Sequence, residues 1–206
     1  MNHGRLFVIS APSGAGKTSL VKALLASEPR LCLSISHTTR KRRPNEAEGR
    51  EYHFVTVPQF EQLVARGEFL EHAKVFDNFY GTSRTFVGEQ LRQGNDVILE
   101  IDWQGAQQVR RAMPECVTVF ILPPSRRTLA ERLARRATDS REIIARRLAD
   151  AAMDMSHYRE FDYVIVNDDF DRAVADLRRV VERQGEDLRS DRPELAPLLA
   201  ELLGAP

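Results

Sequence analysis

The stretch Ser10-Ala11-Pro12-Ser13-Gly14-Ala15-Gly16-Lys17-Thr18 decides the fold because of what lies on either side of it. Residues 6–9 before it form a short apolar run, which is typical of a buried strand. Residues 19–26 after it have the apolar spacing of a helix. A glycine-rich turn between a strand and a helix predicts a phosphate-binding loop, since glycine lets several N–H groups face one anion and the helix N-terminus adds positive potential.

The residue types of this loop fit a nucleoside triphosphate. Lys17 is predicted to reach the outer phosphates, and the Thr18 hydroxyl to ligate the Mg²⁺ that accompanies ATP. The other predicted ATP contacts of the loop are Ala11, Pro12, Ser13, Gly14, Ala15 and Gly16. Ala11 stands where the motif usually opens with glycine, so its backbone must adopt a conformation that an L-residue tolerates. An ordinary Gly/Ser-rich turn is the alternative.

The length and composition of the chain limit the classes of protein to which it can belong. A chain of 206 residues suits one α/β domain with insertions better than two independent domains. Thirty basic residues balance 30 acidic ones, so bulk charge favours neither nucleic acid nor a membrane surface. Cys32 and Cys116 show no metal-ligand spacing, which predicts reduced thiols in a cytoplasmic protein. The N-terminus leads directly into the first strand, so no signal peptide is expected.

Strands and helices alternate along the chain, which predicts a parallel sheet with helices on both faces and ligands at the carboxyl ends of the strands. Further core strands are predicted at 31–36, 96–102, 117–122 and 161–167, with helices at 104–113, 126–136 and 171–182. The stretch from 40 to about 94 has its own predicted strands (52–55, 69–76 and 78–82) and helices (58–66 and 84–92). Ser125 is predicted to cap the 126–136 helix, and Asp139 or Ser140 the next one. The tail from 185 looks like a loosely attached terminal helix.

Carboxylates close the third core strand. Asp102 follows an apolar strand, as expected of a residue that holds Mg²⁺ through water or positions the acceptor. Glu100 lies two residues earlier on the same strand face. A simple strand-end cap by Asp102 is the alternative interpretation.

A basic segment forms a second candidate site. Arg40 and Arg43 follow a predicted strand end, and Tyr52 comes one small loop later. Two guanidinium groups and a phenol suit a small phosphate monoester, because guanidinium binds phosphate with two parallel hydrogen bonds. A solvated run of charge is the alternative, and it accounts for Lys41 and Arg42.

These motifs together resemble those of the guanylate kinases. The resemblance covers about residues 6–187 and is most specific over 40–55. It is carried by Thr38-Thr39-Arg40, Arg43, Glu46, Gly49 and the segments 52–55, 69–71, 80–82, 98–105 and 164–168. It implies an α/β fold with a parallel-sheet P-loop NTPase core, a small mixed α/β GMP-binding insertion and a helical lid. The implied boundaries are a core of about 1–36, 95–124 and 158–187, an insertion of 37–94, a lid of 125–157 and a tail of 188–206.

The resemblance also implies an activity and its partners. Guanylate kinases transfer the γ-phosphate of ATP to GMP, giving ADP and GDP in purine nucleotide metabolism. The expected ligands are therefore ATP with Mg²⁺, and GMP or dGMP. No nucleic acid, no membrane and no tightly bound cofactor are expected, and assembly into a homo-oligomer stays open.

Site residues follow from the resemblance, position by position. Those implied to hold the GMP phosphate are Arg40, Arg43, Tyr52 and Tyr80, and those implied to read guanine are Ser36, Glu71 and Thr82. Glu100 and Asp102 are assigned to the acceptor site. Arg132, Arg136 and Arg147 would close over the phosphates with Lys17, and Asn167 would meet the adenine of ATP. The family often has Gly-Arg-Gly where this chain has Arg135-Arg136-Ala137, which affects the hinge and the choice between the two arginines.

Glu71 has a physical rationale of its own. Guanine presents N1–H and the N2 amino group side by side, and one carboxylate can accept from both. Adenine offers an acceptor at N1 and would leave Glu71 buried and unpaired.

Two other classes of protein stay open at this point. A non-catalytic guanylate-kinase-like binding module would typically lack a working phosphate loop, and Gly16-Lys17-Thr18 speaks against it. A related P-loop kinase of another small phosphorylated acceptor would be distinguished by comparing substrates. Nucleic-acid binding has no support beyond the arginines and would show a steep salt dependence.

Overall fold

The computed structural model describes residues 3–75, 77–134 and 141–204, with the backbone alone for 141–147. Its strands are β1 (Leu6–Ser10), β2 (Leu31–Leu33), β3 (His37–Thr38), β4 (His53–Phe54), β5 (Phe69–Val75), β6 (Asn78–Ser83), β7 (Asp96–Glu100), β8 (Val117–Leu122) and β9 (Tyr163–Val166). Its α-helices are α1 (Lys17–Ser27), α2 (Val57–Ala65), α3 (Arg84–Arg92), α4 (Trp103–Ala112), α5 (Arg126–Ala134), α6 (Arg141–Ser156), α7 (Phe170–Val181) and α8 (Ala196–Leu203). Short 3-10 helices span His157–Glu160, Glu186–Leu188 and Pro193–Leu195.

The strands form two sheets. The larger has the order β2-β7-β1-β8-β9, and its pairs β2–β7 and β8–β9 are parallel. The smaller has the order β4-β3-β6-β5 and is mixed, since β3 pairs parallel with β4 and antiparallel with β6. The predicted α/β class with a parallel sheet and a small mixed insertion is confirmed. The chain divides into two compact units, which are described in turn: Met1–Val8 with Pro29–Val117, and Ile9–Glu28 with Thr118–Pro206.

The mixed sheet gives the first unit a core of its own. The strands predicted at 69–76 and 78–82 are confirmed as β5 and β6, which form an antiparallel pair. The Phe60 ring of α2 packs against the Phe69 and Phe79 rings at centroid distances of 4.8 and 5.4 Å. Helix α2 begins with a capping box in which Thr56 and Gln59 bond reciprocally. The helix predicted at 58–66 and the one at 84–92 are both confirmed as α2 and α3.

The strand predicted at 31–36 is too long. β2 ends at Leu33, and the Ser34 N–H still donates to the Ile98 carbonyl at 3.0 Å. By Ser36 the chain has entered the mixed sheet, where the Ser36 carbonyl accepts from the His53 N–H at 2.9 Å. Ser36 therefore precedes a strand of the second sheet and does not end a parallel strand, because residues 34–36 link the two sheets.

In the second unit, α1 packs against α7. Leu20, Val21 and Leu24 are the buried residues of α1, and the apolar face of α7 includes the buried Ala173 and Leu177. The Arg178 guanidinium donates to the Ser27 hydroxyl at 2.7 Å and pairs with Glu28 at 3.2 Å. These polar contacts tie the end of α1 to the end of α7.

The prediction of a loosely attached tail is wrong. Its terminal helix is α8, and Leu188, Leu195 and Leu202 of the tail are buried. The Arg126 guanidinium donates to the Leu202 carbonyl at 3.0 Å and to the Gly204 carbonyl. The tail is thus held by buried leucines and by an arginine that binds carbonyls at the end of α8.

Throughout the described ranges, every helix falls short of the length and apolar character needed to span a membrane.

Candidate active site

The predicted phosphate-binding loop connects β1 to α1 through two left-handed glycines. Gly14 has φ 89° and Gly16 has φ 96°, a region that glycine adopts at no steric cost. The Gly16 carbonyl accepts the N–H groups of Ser19 and Leu20 at 3.1 Å, which starts α1. Among the described residues, Arg183 is the only non-glycine with a positive φ, so Ala11 has the ordinary backbone expected of an L-residue. Alanine therefore fits where the motif usually has glycine.

The Ala15 carbonyl of the loop is held by two of the predicted site residues. The Asn167 amide, only 4% exposed, donates to this oxygen at 2.7 Å. The Arg132 guanidinium donates to the same oxygen at 3.4 Å and to the Asn167 carbonyl at 3.1 Å. Asn167 and Arg132 therefore brace the loop backbone, a role that the sequence analysis missed.

Close packing leaves little freedom around this turn. A Cβ on Gly16 would collide with Nδ2 of Asn167, and one on Gly14 would lie 3.0 Å from Cδ1 of Leu129. Leu129 and Leu133 of α5 are fully buried beside Gly14. The loop is thus fixed by apolar packing and by hydrogen bonds within the same unit.

Lys17 and Thr18 open α1, which puts both at the positive end of the helix. The Thr18 side chain is exposed. In the described part of the chain, no three His, Cys, Asp or Glu residues gather as a metal cage. This donor set fits a Mg²⁺ that arrives on nucleotide phosphates, because Mg²⁺ takes few protein ligands and keeps several waters.

The predicted lid arginines are only partly described. Helix α5 begins as predicted, with the Ser125 hydroxyl accepting the Thr128 N–H at 3.0 Å, and it carries Arg132. Arg136, like the predicted cap at Asp139 or Ser140, lies outside the described residues. The backbone of Arg147 belongs to α6, and its side chain is likewise outside them.

In the first unit, three predicted phosphate-binding residues lie together. The Arg40 guanidinium is 5.3 Å from the Tyr52 ring centroid, and the Tyr52 and Tyr80 rings are 5.8 Å apart. Burial raises the pKa of Tyr52, and neighbouring Tyr80 and Glu100 add to the rise while Arg40 opposes it. With its pKa raised, the Tyr52 phenol stays protonated at neutral pH and can donate a hydrogen bond.

Glu46 organises this cluster, although no role for it was predicted from the sequence. Its carboxylate accepts from the Arg40 guanidinium at 2.6 Å and from the Arg43 N–H at 2.8 Å. The hydrogen bond from Arg40 lowers the pKa of Glu46 below its usual range. The Arg43 side chain is 71% exposed, and its guanidinium lies 3.9 Å from the Glu46 oxygen that Arg40 binds, so Glu46 holds the Arg43 side chain near Arg40 only loosely. The sequence contains one signal for this role, because the acidic Glu46 comes shortly after the basic residues 40–43 and could pair with one of them.

The predicted guanine-reading residues include a buried carboxylate. Glu71 of β5 is 3% exposed and Thr82 of β6 is 1% exposed. The Thr82 hydroxyl donates to Oε1 of Glu71 at 2.5 Å. These two side chains are brought together by the β5–β6 pairing, in which Glu71 lies opposite Thr82. Ser36 is half-buried at the start of the same sheet.

The two carboxylates after the third core strand lie in different settings. Glu100 is the last residue of β7 and lies close enough to Tyr52 to influence its pKa. Asp102 caps α4, where its Oδ1 accepts from the Gly105 N–H at 2.8 Å. Asp102 therefore caps the start of α4 and not the end of β7, which was the alternative considered, and its contact with metal or acceptor stays a prediction.

Comparison with known proteins shows which family the chain resembles. Residues 3–184 match the family model described as guanylate kinase. The chain is similar to a guanylate kinase of Methylococcus capsulatus, with 56% identity over 204 residues that cover 99% of this chain and 100% of that one. A guanylate kinase of Alkalilimnicola ehrlichii is 57% identical over 98% of this chain and 99% of its own.

A solved structure is also similar. The crystal structure of guanylate kinase from Anaplasma phagocytophilum matches with a TM-score of 0.75 and 32% identity, covering 97% of this chain and 95% of that one. A family model that matches nearly the whole chain, relatives above half identity and a shared fold all agree. The chain belongs to the guanylate kinase family.

Proposed function

We propose that this chain transfers the γ-phosphate of ATP to GMP, giving ADP and GDP, with the residues assigned above. The observation that carries the proposal is the buried Glu71 carboxylate, tied to Thr82, in a chain of the guanylate kinase family. The binding-module alternative is not favoured, because the phosphate-binding loop keeps its glycines, its lysine and its helix N-terminus.

The reaction needs no covalent enzyme intermediate. An oxygen of the GMP phosphate forms a bond to the γ-phosphorus as the bond to the β–γ bridging oxygen breaks, and ADP leaves. Lys17 and the loop N–H groups stabilise the negative charge that spreads over the transferred group. Arg132 supports them by holding the Ala15 carbonyl, so that the loop amides stay in place.

On the acceptor side, Arg40, Tyr52 and Tyr80 would bind and orient the GMP phosphate, and Arg40 would supply positive charge. Glu46 holds Arg40 in one geometry before GMP arrives, which lowers the cost of ordering a long side chain. Tyr52 and Tyr80 donate phenolic hydrogen bonds to the GMP phosphate. Arg43, exposed in this structure, joins them when GMP is bound.

The Thr18 hydroxyl would be a ligand for the Mg²⁺ that arrives with ATP, and that ion would neutralise phosphate charge. Asp102 is proposed to act through water on the same ion or on the acceptor. Among the lid residues, Arg136 and Arg147 are proposed to reduce access of water to the phosphates, since water would otherwise compete as acceptor.

Base selectivity rests on the hydrogen-bonding pattern of guanine. Glu71 accepts from N1–H and from the N2 amino group, and Ser36 and Thr82 complete the contacts. AMP would leave the buried carboxylate opposite an acceptor, and such mismatches discriminate on the order of 10⁴-fold where hydrogen bonding decides. No residue reads the 2′-hydroxyl in this scheme, so dGMP is proposed as a second acceptor.

The finer boundaries of core, insertion, lid and tail stay a proposal, as does a homo-oligomeric state. A cytoplasmic location is proposed because the two cysteines, Cys32 and Cys116, form no disulfide.

The test is a coupled assay of ADP release with ATP, Mg²⁺ and each of GMP, dGMP, AMP, CMP and UMP. Rapid turnover with GMP and dGMP and little with AMP is the expected result. Glu71→Gln replaces one acceptor oxygen by a donor of the same size, and it should reduce kcat/KM for GMP while leaving KM for ATP unchanged. Activity with AMP in the wild type, or unchanged base discrimination in Glu71→Gln, would overturn the proposed base-reading site.

A further inference from the structure

Gly105 lies directly against the buried Glu71 carboxylate. A Cβ built on Gly105 would be 2.6 Å from Oε2 and 3.2 Å from Cδ of Glu71, and 3.2 Å from Cδ1 of Ile101. Two non-bonded atoms do not approach to 2.6 Å without a shift of one of them. Any side chain at 105 would therefore compete with the carboxylate for the same space.

Backbone conformation does not explain glycine at this position. Gly105 lies within α4 and is not among the glycines with positive φ. Gly105 is the third residue of α4, and within helices alanine is favoured over glycine by up to about 1 kcal/mol. Helix stability alone would thus select alanine, so the reason for glycine lies in the space that it leaves.

Neither partner is free to retreat. Oε1 of Glu71 is tied to the Thr82 hydroxyl at 2.5 Å. The Gly105 N–H is tied to the Asp102 carboxylate at 2.8 Å, at the cap of α4. Because the Glu71 carboxylate and the Gly105 backbone are both held by hydrogen bonds, a methyl group added at Gly105 must displace either the carboxylate or the helix.

The helix itself is fixed to the strand that carries Glu71. The Gln108 amide donates to the His72 carbonyl at 2.8 Å and accepts the His72 N–H at 3.2 Å. Gln108 thereby completes the backbone bonds of the residue next to Glu71 on the edge strand β5. This pair of bonds sets the separation between α4 and β5 at the carboxylate.

We propose that Gly105 determines base specificity by leaving the space in which the Glu71 carboxylate is held for guanine. Gly105 is a positioning residue, since it acts through Glu71 and does not itself touch the base. The inference rests on the proposed function, in which Glu71 accepts from guanine N1–H and N2.

The test compares Gly105→Ala with Gly88→Ala. Gly88 is also helical, in α3, and a Cβ there meets nothing within 4 Å, so it controls for the gain in helix propensity. Misplacing a group by about 1 Å can cost roughly 10²-fold in rate. We therefore expect Gly105→Ala to lose roughly 10²-fold in kcat/KM for GMP, with an unchanged KM for ATP. Gly88→Ala should match the wild type.

A double-mutant cycle separates positioning from a structural defect. If Gly105 acts through Glu71, then Gly105→Ala should cost little further GMP selectivity over AMP in a Glu71→Gln background. Equal losses in both backgrounds, or a Gly105→Ala variant that behaves like Gly88→Ala, would overturn the inference. Failure of Glu71→Gln to alter discrimination would instead refute the proposed role of Glu71 itself.

Discussion

The backbone carbonyl of Ala15 accepts hydrogen bonds from two side chains that are distant in the sequence. It receives the amide of Asn167 and the guanidinium of Arg132, although 152 positions separate Asn167 from Ala15 in the chain. The family resemblance implied that Asn167 meets the adenine of ATP and that Arg132 closes over the phosphates. The structure adds that both hold the loop that binds it.

Asn167→Ala should therefore weaken ATP binding by loosening the loop. The substitution removes the shorter of two hydrogen bonds to the Ala15 carbonyl and leaves the longer one from Arg132, and the loss of one hydrogen bond costs about 0.5–1.5 kcal/mol. We expect KM for ATP to rise roughly tenfold, which corresponds to about 1.4 kcal/mol, with KM for GMP nearly unchanged. Steady-state kinetics beside the exposed neighbour variant Asp168→Asn is the measurement, and an equal rise in both KM values would contradict it.

His37 predicts a pH dependence of stability. Burial lowers the pKa of His37 and the neighbouring His53 lowers it further, while Glu48 and Glu68 oppose the shift. The unfolded chain then binds a proton at a higher pH than the folded one, so stability is lost as pH falls from about 6.5 through the folded pKa. Urea unfolding between pH 7.5 and 5 should show this decline.

His37→Phe should reduce this loss of stability at low pH while keeping a ring contact with Phe69, whose ring centroid is 5.4 Å from that of His37. Its unfolding free energy should change less with pH than that of the wild type. An identical pH slope in both proteins would rule out His37 as the responsible group.

At the residue scale, site residues could be predicted from the sequence only where a local motif reveals their chemistry. Lys17, Glu71 and Arg40 were predicted because their chemistry is visible in local motifs. Glu46 and Gly105 were not given roles, because their importance comes from partners that only the folded chain brings within reach.

Among the elements, those with long repeating patterns were predicted best. Helices α2, α3 and α7 carry cap residues and apolar periodicity, and their observed bounds lie close to the predicted ones. Strand β3 has only two residues, too few for an alternating pattern, and was not predicted as a separate strand, whereas β4 lies within the strand predicted at 52–55. The end of β2 was misjudged for the opposite reason, because the alternation of apolar and polar residues continues through 34–36, which link the two sheets.

The terminal helix α8 offers a test at this scale. Arg126 donates to the carbonyls of Leu202 and Gly204, and hydrogen bonds from charged groups contribute about 1.5–3 kcal/mol. Arg126→Ala should lower the thermal midpoint and speed proteolysis near the C-terminus. Arg127→Ala is the matched control, since that side chain is 87% exposed. Equal proteolysis of the two variants would show that Arg126 does not hold the tail.

At the scale of the whole molecule, the α/β class and the family were predictable because several motifs agree along nearly the full chain. A packed tail was not, since its leucines and arginines have no motif-like spacing. Burial of Leu188, Leu195 and Leu202 depends on the rest of the second unit, which no local pattern displays.

Ligand binding should stabilise the protein in a way that separates the two nucleotides. A ligand at 100 times its Kd adds about 2.7 kcal/mol of stability. GMP should raise the thermal midpoint of both the wild type and Lys17→Ala, whereas ATP with Mg²⁺ should raise that of the wild type alone. Lys22→Ala, an exposed lysine of the same helix, is the control and should respond to both. A Lys17→Ala protein that is stabilised by ATP as strongly as the wild type would refute the loop assignment.

Ala11 carries a consequence for the unfolded chain. With positive φ confined in this loop to Gly14 and Gly16, the residue at 11 needs none of the freedom that glycine brings. Alanine in that position restricts the conformations open to the unfolded chain, and such a replacement stabilises the native state by about 0.4–1 kcal/mol. The departure from the usual loop sequence therefore lowers the conformational entropy lost on folding, and it leaves both left-handed glycines of the anion-binding turn unchanged.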